Sequence, residues 1–112
     1  MGSSRNDLKS FPEPVQKDVG HALYAAQMGE IDRAARPLKG FGGARVLEIV
    51  ARHMNNTYRV VYTTQFPGVI YILHTFQKKS KHGIATPRRE VLLIGERLAA
   101  AEVDYGERKL ER

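Results

Sequence analysis

The spacing of apolar residues predicts a helical first part of the chain. Ser4, followed three residues later by Asp7, resembles a capping box, so the chain is expected to open with a short capped turn or helix. Apolar residues then recur every three or four positions, which is typical of one helix face packed on a core. We predict an amphipathic helix over about residues 12–28 that Gly29 ends.

The middle of the sequence, residues 45–79, has a pattern typical of strands. Runs of β-branched and aromatic residues are divided by two turn sequences, Asn55-Asn56 and Pro67-Gly68. The region therefore predicts three consecutive antiparallel strands. The glycine run that precedes it, residues 40–43, is interpreted as a flexible connector, because a nucleotide-binding loop should follow a strand and end in Gly-Lys-Ser/Thr.

A second helical pattern follows the strands. Thr86 suits an N-cap and Pro87 the first helical position, which predicts a helix over about residues 87–104, with Tyr105 on the same face and Gly106 as its end. The predicted fold class is α+β, a small antiparallel β-meander of three to four strands with two N-terminal helices and one C-terminal helix. We expect the helices on one face of the sheet and the other face partly open.

Length and composition restrict the class of protein. A chain of 112 residues is expected to form a single domain over residues 1–112. The absence of cysteine excludes disulfides and a thiolate zinc site. No apolar run is long enough to span a membrane, and the first residues lack the core of a signal peptide. We therefore expect a cytoplasmic protein without a membrane partner.

Basic residues are concentrated in the second half of the sheet region. The chain has 18 Lys and Arg against 12 Asp and Glu, a net charge of +6. From Arg52 to Arg89 there are seven basic residues and no acidic one. Such a surplus on a small domain favours a polyanion or an acidic protein surface as partner.

The first predicted turn brings two arginines together. With Asn55-Asn56 as the central turn residues, Met54 pairs with Thr57 and Arg52 faces Arg59. Like charges opposed across two strands are unfavourable by up to about 1 kcal/mol, so this pair favours a bound anion such as phosphate. Two alternatives remain open: both arginines extend into water, or a carboxylate such as that of Glu48 screens them.

The second turn decides which residues join this face. A two-residue turn at Pro67-Gly68 pairs Arg59 with Phe76 and places His74 and Lys78 on the arginine face. A slip of one residue would place Gln77 and Lys79 there instead. The sequence leaves both registers open.

The residue types favour a reaction at a phosphate group over a metal-dependent reaction. Four histidines are scattered and no carboxylates have ligand spacing, so we expect no metal and no cofactor. Cationic side chains can support attack of an RNA 2′-hydroxyl on its own phosphate, with His53, His74 or one of the adjacent lysines 78 and 79 moving the proton. The alternative for His74 is a hydrogen-bonded sheet histidine, and for the lysines a solvated strand end.

An ordered set of segments carries a family resemblance. The segments are Arg36-Pro37-Leu38-Lys39-Gly40-Phe41-Gly42-Gly43, Val46-Leu47-Glu48-Ile49, Tyr58-Arg59-Val60-Val61-Tyr62, Leu73-His74-Thr75-Phe76-Gln77-Lys78-Lys79-Ser80 and Thr86-Pro87-Arg88-Arg89-Glu90. In this order they resemble the phage-derived, HigB-like branch of the RelE/HigB toxins, over nearly the whole chain. Relatives often begin with a short strand before the Gly-Ser-Ser segment, so we expect a smaller sheet and impaired activity here.

The resemblance implies a RelE-like fold and the toxin of a type II toxin–antitoxin pair. Such a toxin is a metal-independent, ribosome-dependent mRNA endoribonuclease (mRNA interferase) that inhibits translation, and its partners are mRNA on the ribosome and a cognate antitoxin, often a helix-turn-helix protein. The catalytic candidates are Arg59, which by resemblance binds the scissile phosphate, and Lys78, Lys79 and His74. The candidate RNA-binding residues are Arg52, His53, Gln77, Lys81 and Arg88. The alternative functions are a non-catalytic RNA- or antitoxin-binding module and a structural or regulatory phage-derived protein.

Overall fold

A computed structural model describes residues 4–41, 45–78 and 87–110. These residues form an antiparallel four-stranded sheet in the order β1-β2-β3-β4, with helices before and after it. This architecture confirms the predicted α+β class. The elements are α1 (Ser4–Lys9), α2 (Glu13–Gln27), β1 (Ala35–Pro37), β2 (Val46–His53), β3 (Asn56–Thr63), β4 (Tyr71–Lys78) and α3 (Arg88–Leu110).

Helix α2 follows the predicted pattern. Its buried residues are Val15, Val19, Ala22 and Ala26, which recur at three- and four-residue spacing and form one stripe. The helix ends where predicted, because Gly29 takes a left-handed conformation with φ 79° and stops the helical path.

Strand β1 adds an edge to the sheet that the sequence pattern did not predict. No element was predicted over residues 35–37, but Ala35 pairs with Ile49 and Pro37 with Leu47. Proline is tolerated here because the backbone of an edge strand need not donate hydrogen bonds on both sides. The sheet consequently has four strands, the larger of the two predicted numbers.

Helices cover both faces of the sheet, so the prediction of one open face is wrong. Leu47 and Ile49 of β2 point to the α2 face, where they pack with the buried stripe of α2. Val46 of β2 and Val61 of β3 point to the other face, the α3 face, where they pack with Ile94 of α3. The strands are apolar at both alternating sets of positions, and each face therefore needs a cover.

The first hairpin turn lies one residue earlier than predicted. Met54 and Asn55 are its central residues, with φ 48° and 67°, and His53 pairs with Asn56. Positive φ at both central positions gives the turn whose twist matches the flanking strands. The pairing of Arg52 with Arg59 is therefore wrong: Arg52 faces Thr57, and Arg59 lies diagonal to it on the same face.

The second hairpin confirms one of the two predicted registers. Arg59 pairs with Phe76, and Thr57 pairs with Lys78, so His74 and Lys78 share the face of Arg59. A β-bulge interrupts the ladder further along, because Val61 faces His74 while the next residue, Tyr62, faces Ile72.

Helix α3 begins after Pro87 and continues past its predicted end at Gly106 to Leu110. Glycine within a helix costs only about 1 kcal/mol. Contacts around it hold the last turns: the Tyr105 hydroxyl donates to the Pro67 carbonyl at 2.9 Å, and Arg108 pairs with Asp104 at 2.8 Å. Within the described ranges, no helix has the length and apolar character needed to cross a bilayer. The predicted Thr86 cap lies outside the described residues.

Candidate functional site

Cations from three elements meet at one end of the sheet, which we call the basic end. Arg52, Thr57 and Lys78 form a row across β2, β3 and β4 on the α3 face, and Arg52 is exposed. Helix α3 runs opposite to β4, because its residue 90 contacts His74 while its residue 104 contacts Tyr71. This direction brings the exposed Arg88 at the start of α3 toward the basic end.

The other candidate RNA-binding residues divide between the two faces. His53 and Gln77 belong to the basic end but point to the α2 face, because side chains alternate along a strand. His53 is half-buried and Gln77 is exposed. Lys79 and Lys81 lie outside the described residues. The described candidates therefore surround the end of the sheet and do not form one flat surface.

Arg59 lies beneath the basic end as half of a buried ion pair. Its Nη1 donates to Oε1 of Glu48 at 2.8 Å, and both side chains are 1% exposed. Arg36 of β1, which is half-exposed, places Nη2 at 3.4 Å from the same oxygen. Glu48 therefore supplies the counter-charge for Arg59, as in the screening alternative, whereas Arg52 is exposed, as in the alternative in which the arginines extend into water.

His74 is buried and both of its ring nitrogens are engaged. Nδ1 lies 3.0 Å from Nη1 of Arg97, and Nε2 lies within hydrogen-bonding distance of Glu90. A guanidinium only donates, so Nδ1 accepts from Arg97 and the ring proton resides on Nε2, which donates to Glu90. The ring also stacks on Phe76, with centroids 5.0 Å apart. This geometry matches the alternative of a hydrogen-bonded sheet histidine.

Glu90 and Arg97 are the site residues that sequence reasoning missed. They lie 16 and 23 residues from His74 along the chain and reach it only because α3 packs on the α3 face. No spacing rule relates residues on a strand to residues on a later helix. The pattern predicted the helix but not its position against β4.

The sheet end opposite the basic end has a different character. A cavity of about 950 Å3 lies there between the end of α2, the start of β2 and the loop after β3. Its lining is largely apolar and contains none of the predicted site residues. Tyr62, part of this lining, is fully buried, and burial raises the pKa of its phenol.

Tyr71 connects the same region of the sheet to α3. Its hydroxyl donates to Oδ2 of Asp104 at 2.6 Å. Burial, followed by this hydrogen bond, raises the pKa of Tyr71 to about 12, and the bond lowers the pKa of Asp104. The pair holds the second half of α3 against β4.

Comparison with known proteins identifies a family for most of the chain. A family model described as phage derived protein Gp49-like (DUF891) matches residues 6–99. That family is associated with RelE-like toxins. Neither a curated protein nor a solved structure matches the chain significantly.

Proposed function

This chain belongs to the family of phage-derived Gp49-like proteins, and on that premise we propose that it is the toxin of a type II toxin–antitoxin pair. In this proposal it is a member of the HigB-like branch and acts as a metal-independent, ribosome-dependent mRNA endoribonuclease in the cytoplasm. Its partners are mRNA on the ribosome and a cognate antitoxin, of helix-turn-helix type.

The observation that carries the proposal is the convergence of cations at the basic end. Arg52, Lys78 and Arg88 come from three different elements, and the sequence between residues 52 and 89 has no acidic residue. Of the acids that flank that stretch, Glu48 and Glu90 are both engaged by buried partners. The basic residues of the stretch therefore favour binding of RNA phosphates.

The proposed chemistry needs no group beyond side chains and the RNA itself. The 2′-oxygen forms a bond to the adjacent phosphorus and loses its proton to a base, while the bond from phosphorus to the 5′-oxygen breaks and that oxygen takes a proton. The product is a 2′,3′-cyclic phosphate and a 5′-hydroxyl. Guanidinium and ammonium groups stabilise the charge that develops on the phosphate oxygens.

We assign roles within the site from exposure for Arg52, Arg88 and Gln77, and from position in the sequence for Lys78, Lys79 and Lys81. Arg52, Arg88 and Lys78 are assigned to the RNA phosphates, together with Gln77 and Lys81. His53, Lys78 and Lys79 are the groups assigned to proton transfer. His74 has both nitrogens engaged, so we assign it the positioning of β4 against α3. The charge of Arg59 is compensated by Glu48 beneath the site, so Arg59 reaches a phosphate only when Glu48 releases it.

Induced expression in a bacterial host tests the proposal, with growth and the ends of mRNA followed together. We expect growth arrest with new mRNA ends that carry a cyclic phosphate. The double variant Arg52→Ala/Lys78→Ala should abolish both, whereas the control Lys39→Ala, an exposed lysine in the lining of the cavity at the opposite end of the sheet, should retain both. Arrest that survives the double variant would show that the basic end is not the site.

Two solution conditions test the same chemistry on purified protein. Ribosome and RNA binding should weaken steeply with salt, because phosphate contacts release counterions. Cleavage should persist in a chelator. Binding that does not depend on salt would contradict a basic phosphate site, and loss of cleavage in chelator would contradict the metal-independent mechanism.

A second candidate function is a non-catalytic module that binds RNA or an antitoxin. The burial of Arg59 and His74, each with a carboxylate partner, favours this alternative, because neither presents a free group to a substrate. It predicts salt-dependent RNA binding through Arg52 and Lys78 without new mRNA ends and without growth arrest. Expression of the unmodified chain therefore separates the two functions directly.

A further inference from the structure

Helix α3 has apolar residues on two opposite faces. Ile94 and Ala101 are fully buried against the sheet. On the opposite side, Leu92, Val103 and Leu110 are 61%, 61% and 88% exposed. A surface helix usually has one apolar stripe, which faces its own core. The second stripe is therefore not explained by packing within the chain.

The exposed side chains follow the spacing of a helix–helix seam. We call them the outer stripe: Leu92, Glu96, Ala99, Val103, Gly106 and Leu110, all exposed, at alternating steps of four and three residues. This alternation keeps side chains facing one partner helix along its length. The stripe is about 27 Å long at 1.5 Å per residue, which matches a helix of five turns. Its small residues allow a close approach of a second backbone.

The outer stripe is acidic, although the chain as a whole is basic. Glu96 lies within it, and Glu102 and Glu107 flank it on opposite sides. All three are exposed, and none forms an ion pair with another described residue. Three basic residues of the same helix have partners elsewhere: Arg97 bonds to the β4 histidine, Arg108 pairs with an aspartate on the inner side, and Lys109 lies over the Tyr105 ring. The two others, Arg88 and Arg89, are exposed and precede the stripe at the start of the helix. The face therefore presents carboxylates around an apolar strip.

We propose that the outer stripe is a docking surface for a basic amphipathic helix of a partner protein. Apolar side chains of that helix pack on Leu92, Val103 and Leu110, and its Lys or Arg residues pair with the three carboxylates. Charges beside a helix seam select the partner in this way. This surface lies on the solvent side of α3 and is separate from the basic end.

Charge also argues against other occupants. An RNA strand or an anionic membrane surface would be repelled by the carboxylates. In a second copy aligned antiparallel, with Leu92 against Leu110, Glu102 of each copy lies beside Glu102 of the other. A parallel alignment places Glu96 on Glu96. Both arrangements bring like charges together at the seam, whereas a basic helix neutralises them.

Two model peptides of about three heptads test the surface. Both have Leu at the seam positions, and the flanking positions are all Lys in one peptide and all Glu in the other. By isothermal calorimetry with the whole protein, we expect the Lys peptide to bind at least about tenfold more tightly than the Glu peptide. Val103→Gln should weaken binding of the Lys peptide about fivefold or more, and the control Met28→Gln, at the exposed C-cap of α2, should not.

A charge reversal provides a second test that does not depend on apolar contacts. Glu96→Lys with Glu102→Lys should reverse the preference, so that the Glu peptide binds more tightly. The proposal is overturned if neither peptide binds, if the Glu peptide binds the unmodified protein as well as the Lys peptide, or if Val103→Gln has no effect. Sedimentation that shows a dimer, lost in Val103→Gln, would assign the stripe to a second copy and also overturn it.

Discussion

The buried pair of Arg59 and Glu48 permits a quantitative prediction about stability. Arg59→Ala removes a guanidinium that is 1% exposed and leaves the Glu48 carboxylate, also 1% exposed, without its nearest cation. Removing one partner of a buried pair usually costs about 3–5 kcal/mol, because the remaining charge is desolvated and uncompensated. Arg36 remains at 3.4 Å from the same oxygen and offsets part of this cost, so we expect a loss near the lower value, about 3 kcal/mol.

A loss of this size is large for a chain of 112 residues. Domains of this size are stable by about 5–15 kcal/mol, and each kcal/mol corresponds to roughly 4 °C in Tm. Arg59→Ala should therefore lower Tm by about 12 °C. In a growth assay, this variant loses activity through unfolding as well as through loss of a charge. Any functional result with Arg59→Ala must accordingly be compared with its folded fraction.

Urea unfolding followed by circular dichroism measures the expected losses. The matched control is Arg36→Ala, because Arg36 contacts the same carboxylate oxygen but is half-exposed, and we expect it to cost less than about 1 kcal/mol. Replacing both charges by apolar residues, as in Arg59→Met/Glu48→Leu, should recover most of the loss, because no buried charge remains. Equal small losses for Arg59→Ala and Arg36→Ala would refute the assignment of Arg59 to the protein interior.

Three further predictions concern the sheet and its junction with α3. Met54→Asn should stabilise the protein by about 0.5–1 kcal/mol in urea unfolding, because Met54 has φ 48° and asparagine tolerates that conformation better. In an ultraviolet titration, Tyr71 should remain protonated above the ordinary tyrosine range, since its pKa is about 12. The stability that the protonated Tyr71 hydroxyl contributes is complete below pH 10 and is lost as pH rises toward 12. Asp104→Asn should lower the pKa of Tyr71. Nitrogen-15 NMR should show His74 with its proton on Nε2, and Arg97→Met should remove the hydrogen bond to Nδ1.

The Met54 prediction has a matched control, and the Tyr71 and His74 predictions each have an outcome that would contradict them. Met28→Asn makes the same exchange at a residue with φ −87°, so it should give no stabilisation. A Tyr71 that ionises with the other tyrosines would contradict its hydrogen bond to Asp104. A proton found on Nδ1 of His74 would contradict the donor role of Arg97, because two donors cannot face each other.

Local sequence patterns predicted the parts of this fold that depend on neighbouring residues. The three central strands, helix α2 with its stop at Gly29, and the start of α3 follow from periodicity and capping. The first turn was misplaced by one residue because Asn55-Asn56 and Met54-Asn55 both contain a residue that accepts positive φ. Tertiary pairing of the strands selected the second pair.

The parts that were not predicted depend on contacts between distant segments. The three-residue strand β1 has too little pattern to distinguish it from a loop. The sequence indicated only indirectly that helices cover both faces of the sheet. Val46 and Ile49 point to opposite faces and are both apolar, so each face needs a cover. The sequence indicated which charged and titratable residues lie in or beside the central strands, but not which of them are buried. Burial of Arg59 depends on Glu48, which lies 11 residues away on another strand.

The bulge in β4 divides that strand into two segments whose registers are set separately. Tyr71 and Ile72 pair with the end of β3 in one register, and residues 74–78 pair with its beginning in another. The loop between β3 and β4 can therefore lose or gain a residue at the cost of altering the bulge, while the row that contains Lys78 keeps its alignment. In related phage proteins, length variation in this loop should be accommodated there.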